Sequence, residues 1–138
     1  PEISAPVIIR GFSQPGTSAS SSPFDHRLMI EIDDSAIPAN NNNHGATLIF
    51  IRGAEKSVIS GLSFIGGRGT SSAMLLMANE VRASANRIGV RADGTVQRYA
   101  GIAIGAICAD SITIGGAIAA ALGSSLPATK AAAAAVSA

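Results

Sequence analysis

The only dense acidic cluster in the chain is Glu31, Asp33 and Asp34, within the run LMIEIDD. Successive residues of an extended chain point to opposite sides, so Glu31 and Asp33 share a face, and Asp34 joins them only where the strand has already turned. Two carboxylates on one face can take Ca²⁺ through their oxygens, or serve as the acid and base of glycoside cleavage. The simpler reading is the solvated end of a strand. Arg52, with Arg68, Arg82 and Arg91, falls on what read as outward faces of successive strand units. An arginine beside a calcium site can act as the base of an elimination, and solvent-facing arginines also blunt an otherwise sticky sheet. The catalytic candidates are therefore Glu31, Asp33 and Arg52, and the metal candidates are Glu31 and Asp33.

The remaining reactive types carry less. His44, in the asparagine-rich stretch ANNNNHG, reads as a turn histidine. His26 follows Asp25, which can orient it, but no Ser or Cys nucleophile is placed beside the pair. Cys108 is the only cysteine, so it forms neither an internal disulfide nor a CxxC motif, and its setting in GIAIGAICAD reads as a small buried hydrophobe. Gly66-Gly67-Arg68-Gly69 has the glycine content of a phosphate loop but lacks its Lys-Ser/Thr and the helix that follows. Asn79 and Asn86 read as structural turn residues.

The elements that must hold these residues are short strands. Pro6–Phe12, Leu28–Asp33, Thr47–Arg52, Val58–Ile65, Met74–Met77, Val81–Ala83, Ile88–Val90, Gly101–Ile107 and Ile112–Ile114 each show apolar alternation or a short apolar run. Val7 and Ile9 fall on one face of the first, and Leu28, Ile30 and Ile32 on one face of the second. Several of the strand runs close on glycine, as in KSVISGLSFIGG and DSITIGG, and no helical stripe separates them. Aligning Leu62 with Ile88 and Ile112, and Leu76 with Ile104, gives a recurrence in the mid-twenties, the signature of stacked turns that bury their faces on one another. Pro15-Gly16 sets a turn in the serine-rich excursion after the first strand. Asp93-Gly94 lies in the longest insertion, Arg91–Ala100, which reads as a loop projecting from one corner rather than as a hairpin between strands.

Composition narrows the function classes. The chain has 138 residues, one domain's worth, a formal charge of +1 and ten basic residues without a basic stripe, which argues against a nucleic-acid partner. Fifteen glycines, no tryptophan and abundant small residues suit layers of short strands. Gly101–Gly123 approaches the apolar length of a membrane span, but Asp110, its glycines and its period of two speak against one. Pro1–Ile9 lacks the features of a signal peptide, and a start at Pro1 directly before core-like residues reads as a piece of a longer or processed chain. Residues 1–116 form the strand-bearing unit, and 117–138 an alanine-rich end that reads as a short capping helix or as a tail.

In order, PVIIRGFSQPG, LMIEIDDS, TLIFIRGAEKSVISGLSFIGG, ANRIGVRADGTV and GIAIGAICADSITIGG resemble the bacterial right-handed parallel β-helix repeat proteins of large secreted and surface-attached chains. The resemblance runs from about Pro1 to Gly116. It departs at Asp34, where that family prefers Gly, at Ala85-Asn86 in place of Gly-Asn, and after Gly116, where no further turn follows. It implies an all-β, right-handed parallel β-helix. It further implies a secreted or cell-surface scaffold, and since the residues give no coherent acid, base and metal set, the expected function is a non-enzymatic scaffold or adhesive module, binding glycan or protein or stacking end to end, with no cofactor. A polysaccharide lyase or hydrolase, with Ca²⁺, is the alternative; His44 faintly resembles the Gly-His-Gly of pectin-type hydrolases, whose Asn-Thr-Asp and Arg-Ile-Lys motifs are absent here. A surface binder for ice or crystals would need ranks of Thr-x-Thr, which the chain does not have.

Overall fold

A computed structural model of the chain describes residues 1–19, 25–36, 45–67, 71–97, 99 and 101–115. Among them the only helical element is a single 3-10 turn at Gly11–Ser13, and the rest of the regular structure is strand. The strands are β1 (Glu2–Ile3), β2 (Ile8–Arg10), β3 (Ile30–Asp33), β4 (Ala46–Phe50), β5 (Val58–Ser60), β6 (Leu62–Ile65), β7 (Ser72–Leu76), β8 (Arg82–Ser84), β9 (Arg87–Ile88), β10 (Ile102–Ala106) and β11 (Thr113–Ile114). They form three sheets, in the orders β1-β4-β7-β10, β2-β5-β8-β11 and β3-β6-β9, and every pairing between these strands is parallel. The chain visits the first, second and third sheet in turn and returns to the first one strand further on. Each such lap therefore lies against the one before it.

Alternation decides which side chains face inward. Leu48 and Phe50 of β4 stand beside Met74 and Leu76 of β7, and they pack with Ile59 of β5, Leu62 and Phe64 of β6 and Ala83 of β8 in one buried cluster. Phe50 and Phe64 are wholly inaccessible, and burying such a side chain is worth roughly 1.5–3 kcal/mol. Ile3, Val7, Ile9, Ile30 and Ile32 of the first lap and Ile104 and Ile114 of the last are only partly buried against this cluster, because each has a neighbouring lap on one side alone.

The stretch Val58–Ile65 reads as one strand in the sequence but is two. Gly61 takes φ +74 and turns the chain, so β5 and β6 join different sheets. A Cβ there would stand 2.6 Å from the Phe12 ring, which the glycine admits into the corner. The recurrence is also differently phased from the sequence reading. Ile88 pairs with Phe64 rather than Leu62, Ile104 pairs with Met74 rather than Leu76, and Ile112 precedes a strand of the second sheet rather than the third. Periodicity finds the strands but does not say which sheet each belongs to. Leu28 differs too: it is buried but stands before β3, and like Ile65 of β6 it lies outside the main cluster.

Between the first and second sheets the laps share a corner. Counting back from the partners Val58, Arg82 and Thr113 superposes Ala54, Ala78 and Ala109, all buried, and then Lys56, Glu80 and Ser111, whose φ values are 64, 58 and 58. Successive laps are tied there by Lys56 N–H to Asn79 O at 3.1 Å, Glu80 N–H to Asp110 O at 2.9 Å and Asp110 N–H to Asn79 Oδ1 at 2.8 Å. Asn79 thus has the turn role its sequence context suggests. No helix among the described residues is long and apolar enough to cross a membrane. The alanine-rich end, 117–138, lies outside the described residues, as do Asn40–Asn43 and His44.

Candidate functional site

The polar side chains gather where the third sheet hands the chain back to the first, and on the outward face of the third sheet. Glu31 and Asp33 do share that face, as alternation requires, since Ile30 and Ile32, which alternate with them, pack on the core. Their partners separate them. Glu31 Oε1 accepts from Arg91 Nη1 at 2.8 Å, and Glu31 Oε2 accepts from the Ala92 backbone N–H at 3.2 Å. Asp33 Oδ1 accepts from Ser35 N–H at 2.8 Å, closing a turn at the end of β3. Hydrogen bonding from Ser35, aided by the charge of Arg91, holds the Asp33 carboxyl below its ordinary range.

Arg91 reaches Glu31 because the chain reverses after β9. Val90 and Val96 form an antiparallel bridge, Arg91 N–H donates to Thr95 O at 2.8 Å, and Gly94 N–H donates to Arg91 O at 3.0 Å. Asp93-Gly94 therefore makes a small hairpin, contrary to the plain loop expected from the sequence; the bridge joins residues of one insertion, so it leaves the parallel sheets intact. This hairpin runs from β9 back past β6 to β3. Ser63, wholly buried in β6, donates through its hydroxyl to Val90 O beneath it. Arg87 Nη2 makes a second tie, donating to His26 O at 2.6 Å. His26 is buried, its ring 5.4 Å from the Phe12 ring at 66°, and burial followed by the charge of Arg87 pushes its pKa down, with Asp25 opposing. The Asp25 charge therefore acts on His26, but no nucleophile is shown beside it.

Asp34 is the member of the acidic cluster that alternation sets apart from Glu31 and Asp33. It is 6% exposed, and its Oδ2 accepts from Thr47 Oγ1 at 2.7 Å and from Tyr99 OH at 3.0 Å. Its Oδ1 is buried with no hydrogen-bond partner. Burial pushes the Tyr99 phenol up, with the Asp34 charge acting in the same direction and Thr47 and Ser71 opposing, so the phenol stays a donor at neutral pH. Tyr99 lies over Gly67, whose missing side chain leaves the ring its place. Gly66 is stacked on Asp34 in the next lap, at φ +97, and a Cβ there would stand 2.6 Å from Asp33 Oδ1 and 2.9 Å from Asp34 Oδ1. Two carboxylate oxygens thus converge over one glycine. An unpaired buried carboxylate oxygen is among the most expensive arrangements in a fold.

Arg52 stands elsewhere. It follows β4 at the corner between the first and second sheets, exposed, where its charge acts on Glu55. Arg82 is exposed on β8, and Arg68 lies outside the described residues. Cys108 is exposed, not buried as its apolar neighbours suggest, and φ is 51 there, because it sits on a corner rather than in a strand. Asn86 is structural as expected: its Oδ1 accepts from Leu62 N–H at 3.1 Å and its Nδ2 donates to Ile59 O at 3.0 Å. Among the described residues no three His, Cys, Asp or Glu side chains are grouped as a metal site. Thr47 and Tyr99 were not singled out by any sequence pattern. No family model matches the chain, and neither a curated protein nor a solved structure matches it.

Proposed function

We propose that the chain is a segment of a right-handed parallel β-helix that serves as a non-enzymatic scaffold or adhesive module of a secreted or cell-surface protein. Its sheet faces and corner loops meet a glycan or protein surface, and its laps continue into, or stack upon, further laps. All-parallel pairing in three sheets visited in rotation supports the architecture. The observation that carries the functional reading is the engagement of Glu31. The side chain best placed by sequence for acid, base or metal work is instead the anchor of the Arg91–Gln97 hairpin, held by a guanidinium and a backbone N–H. Arg52, the third member of the lyase set, belongs to a different corner.

The test is a pair of assays on the purified chain: binding to a panel of neutral and acidic glycans and to extracellular matrix proteins, and release of reducing ends or unsaturated sugars from the acidic polysaccharides. Saturable binding without product release is expected. Product release that disappears in Glu31→Gln and Arg52→Ala would replace this reading with that of a carbohydrate-cleaving enzyme.

A further inference from the structure

We infer that Asp34 and Asp33, with Gly66 beneath them, form a calcium site at the end of β3. It shares Asp33 with the Glu31–Asp33 pair that alternation suggests but takes Asp34 in place of Glu31. The inference does not rest on the scaffold reading, since a structural cation serves a scaffold and an enzyme equally. Two observations carry it. Asp34 Oδ1 is buried and unpartnered, while the other oxygen of the same carboxylate already accepts two hydroxyl protons, from Thr47 and Tyr99. The carboxylate is thereby oriented by its neighbours, leaving one oxygen for a ligand. Asp33 Oδ1 comes to the same place, 2.6 Å from the position a Gly66 Cβ would occupy, against 2.9 Å for Asp34 Oδ1. Among the described residues Asp33 Oδ1 accepts only from Ser35, and since both oxygens lie within 3 Å of one point, a calcium ion beside that point, with oxygen ligands at roughly 2.3–2.6 Å, can bridge them.

The chemistry selects among cations. All the available donors are hard oxygens, carboxylates with neighbouring hydroxyls, which excludes a soft metal that wants thiolate or imidazole. Asp33 is exposed and Asp34 buried, so the ion would sit at the surface, keeping water on its open side. Magnesium demands a near-ideal octahedron and gives up water reluctantly; calcium accepts irregular, mixed coordination. Two carboxylates and an open face place the affinity with the weaker extracellular calcium modules, at a dissociation constant of about 10⁻⁴–10⁻³ M.

The experiment is a calcium titration of the full chain, followed by calorimetry and by thermal unfolding, with magnesium as the parallel arm. Asp33→Asn, Asp34→Asn and Glu31→Gln are the variants. Saturable calcium binding that raises the melting temperature is expected, at least tenfold weaker in Asp33→Asn and Asp34→Asn, unchanged within twofold in Glu31→Gln, and at least tenfold weaker for magnesium. Asp33 is exposed, so its variant folds even if Asp34→Asn does not. Absence of calcium binding by the folded chain overturns the site, as does binding that survives in Asp33→Asn. Loss of binding in Glu31→Gln alone would return the ion to the outward face of the strand and equally overturn it.

Discussion

A methyl group on residue 66 would stand 2.5 Å from Ser35 N and within 3 Å of two carboxylate oxygens, at a φ that side chains rarely adopt. Gly66→Ala is therefore expected to lower stability by about 1–3 kcal/mol, seen as a fall in the urea midpoint at unchanged slope. Asn86→Ala removes both partners of a corner, leaving Leu62 N–H and Ile59 O unpaired, and a loss of about 2 kcal/mol or more is expected in the same measurement. Asn86→Asp retains the acceptor and should recover part of it. His26 makes a pH prediction. Its folded pKa lies below the ordinary 6.5, so the folded state favours the neutral ring; that contribution is whole above the unfolded value and is lost as pH falls from there towards the folded pKa. Urea midpoints at pH 7.5 and 5.5 should differ less in His26→Gln than in the parent chain. At this scale the sequence was only partly legible. Glu31 and Asp33 could be placed on one face by counting. The partners of Asp34 come from 13 and 65 residues away, and nothing in a local pattern points to them.

The hairpin Arg91–Gln97 is the element that decides what Glu31 does. Its ion pair is partly exposed, 39% for Arg91 and 26% for Glu31, so breaking it by Arg91→Ala should cost no more than about 1 kcal/mol of global stability. Local protection is a different matter. Hydrogen exchange should accelerate in Arg91–Gln97 while β6 and β9 stay protected, and equal acceleration across the third sheet would show that the hairpin is integral to it. The existence of the strands was readable because alternation and closing glycines are local. Their assignment to sheets was not, since Gly61 turns the chain inside what looks like one apolar run. A better guide lay in GAEKSVIS, MANEVRAS and CADSITIG, which superpose Ala54, Ala78 and Ala109 at one corner. In that alignment Leu62 meets Asn86, 24 positions on, as the hydrogen bond between them requires.

For the whole molecule, each lap touches only its neighbours, so stability rises towards the middle laps. Exchange protection should be greatest in β4 to β8 and least in β1, β2, β10 and β11, whose inward isoleucines are only partly covered. Truncating the middle, by Phe64→Ala, is expected to cost about 3–5 kcal/mol and to unfold the chain as a unit. Even protection from end to end would mean that the outer laps are covered by something more than their one neighbour.

The Arg91–Glu31 contact gives the stack a mechanical property. Three strands of the third sheet are held side by side by backbone hydrogen bonds roughly 4.8 Å apart, and the hairpin spans both gaps at once. Tension drawn along the stacking direction would open those ladders one gap at a time. A tie fixed at β9 and at β3 shares that load between them, so neither gap can widen alone until the guanidinium lets go of the carboxylate. The hairpin is in this sense a tension member, and it braces the third sheet while the described parts of the other two rely on their ladders and corners.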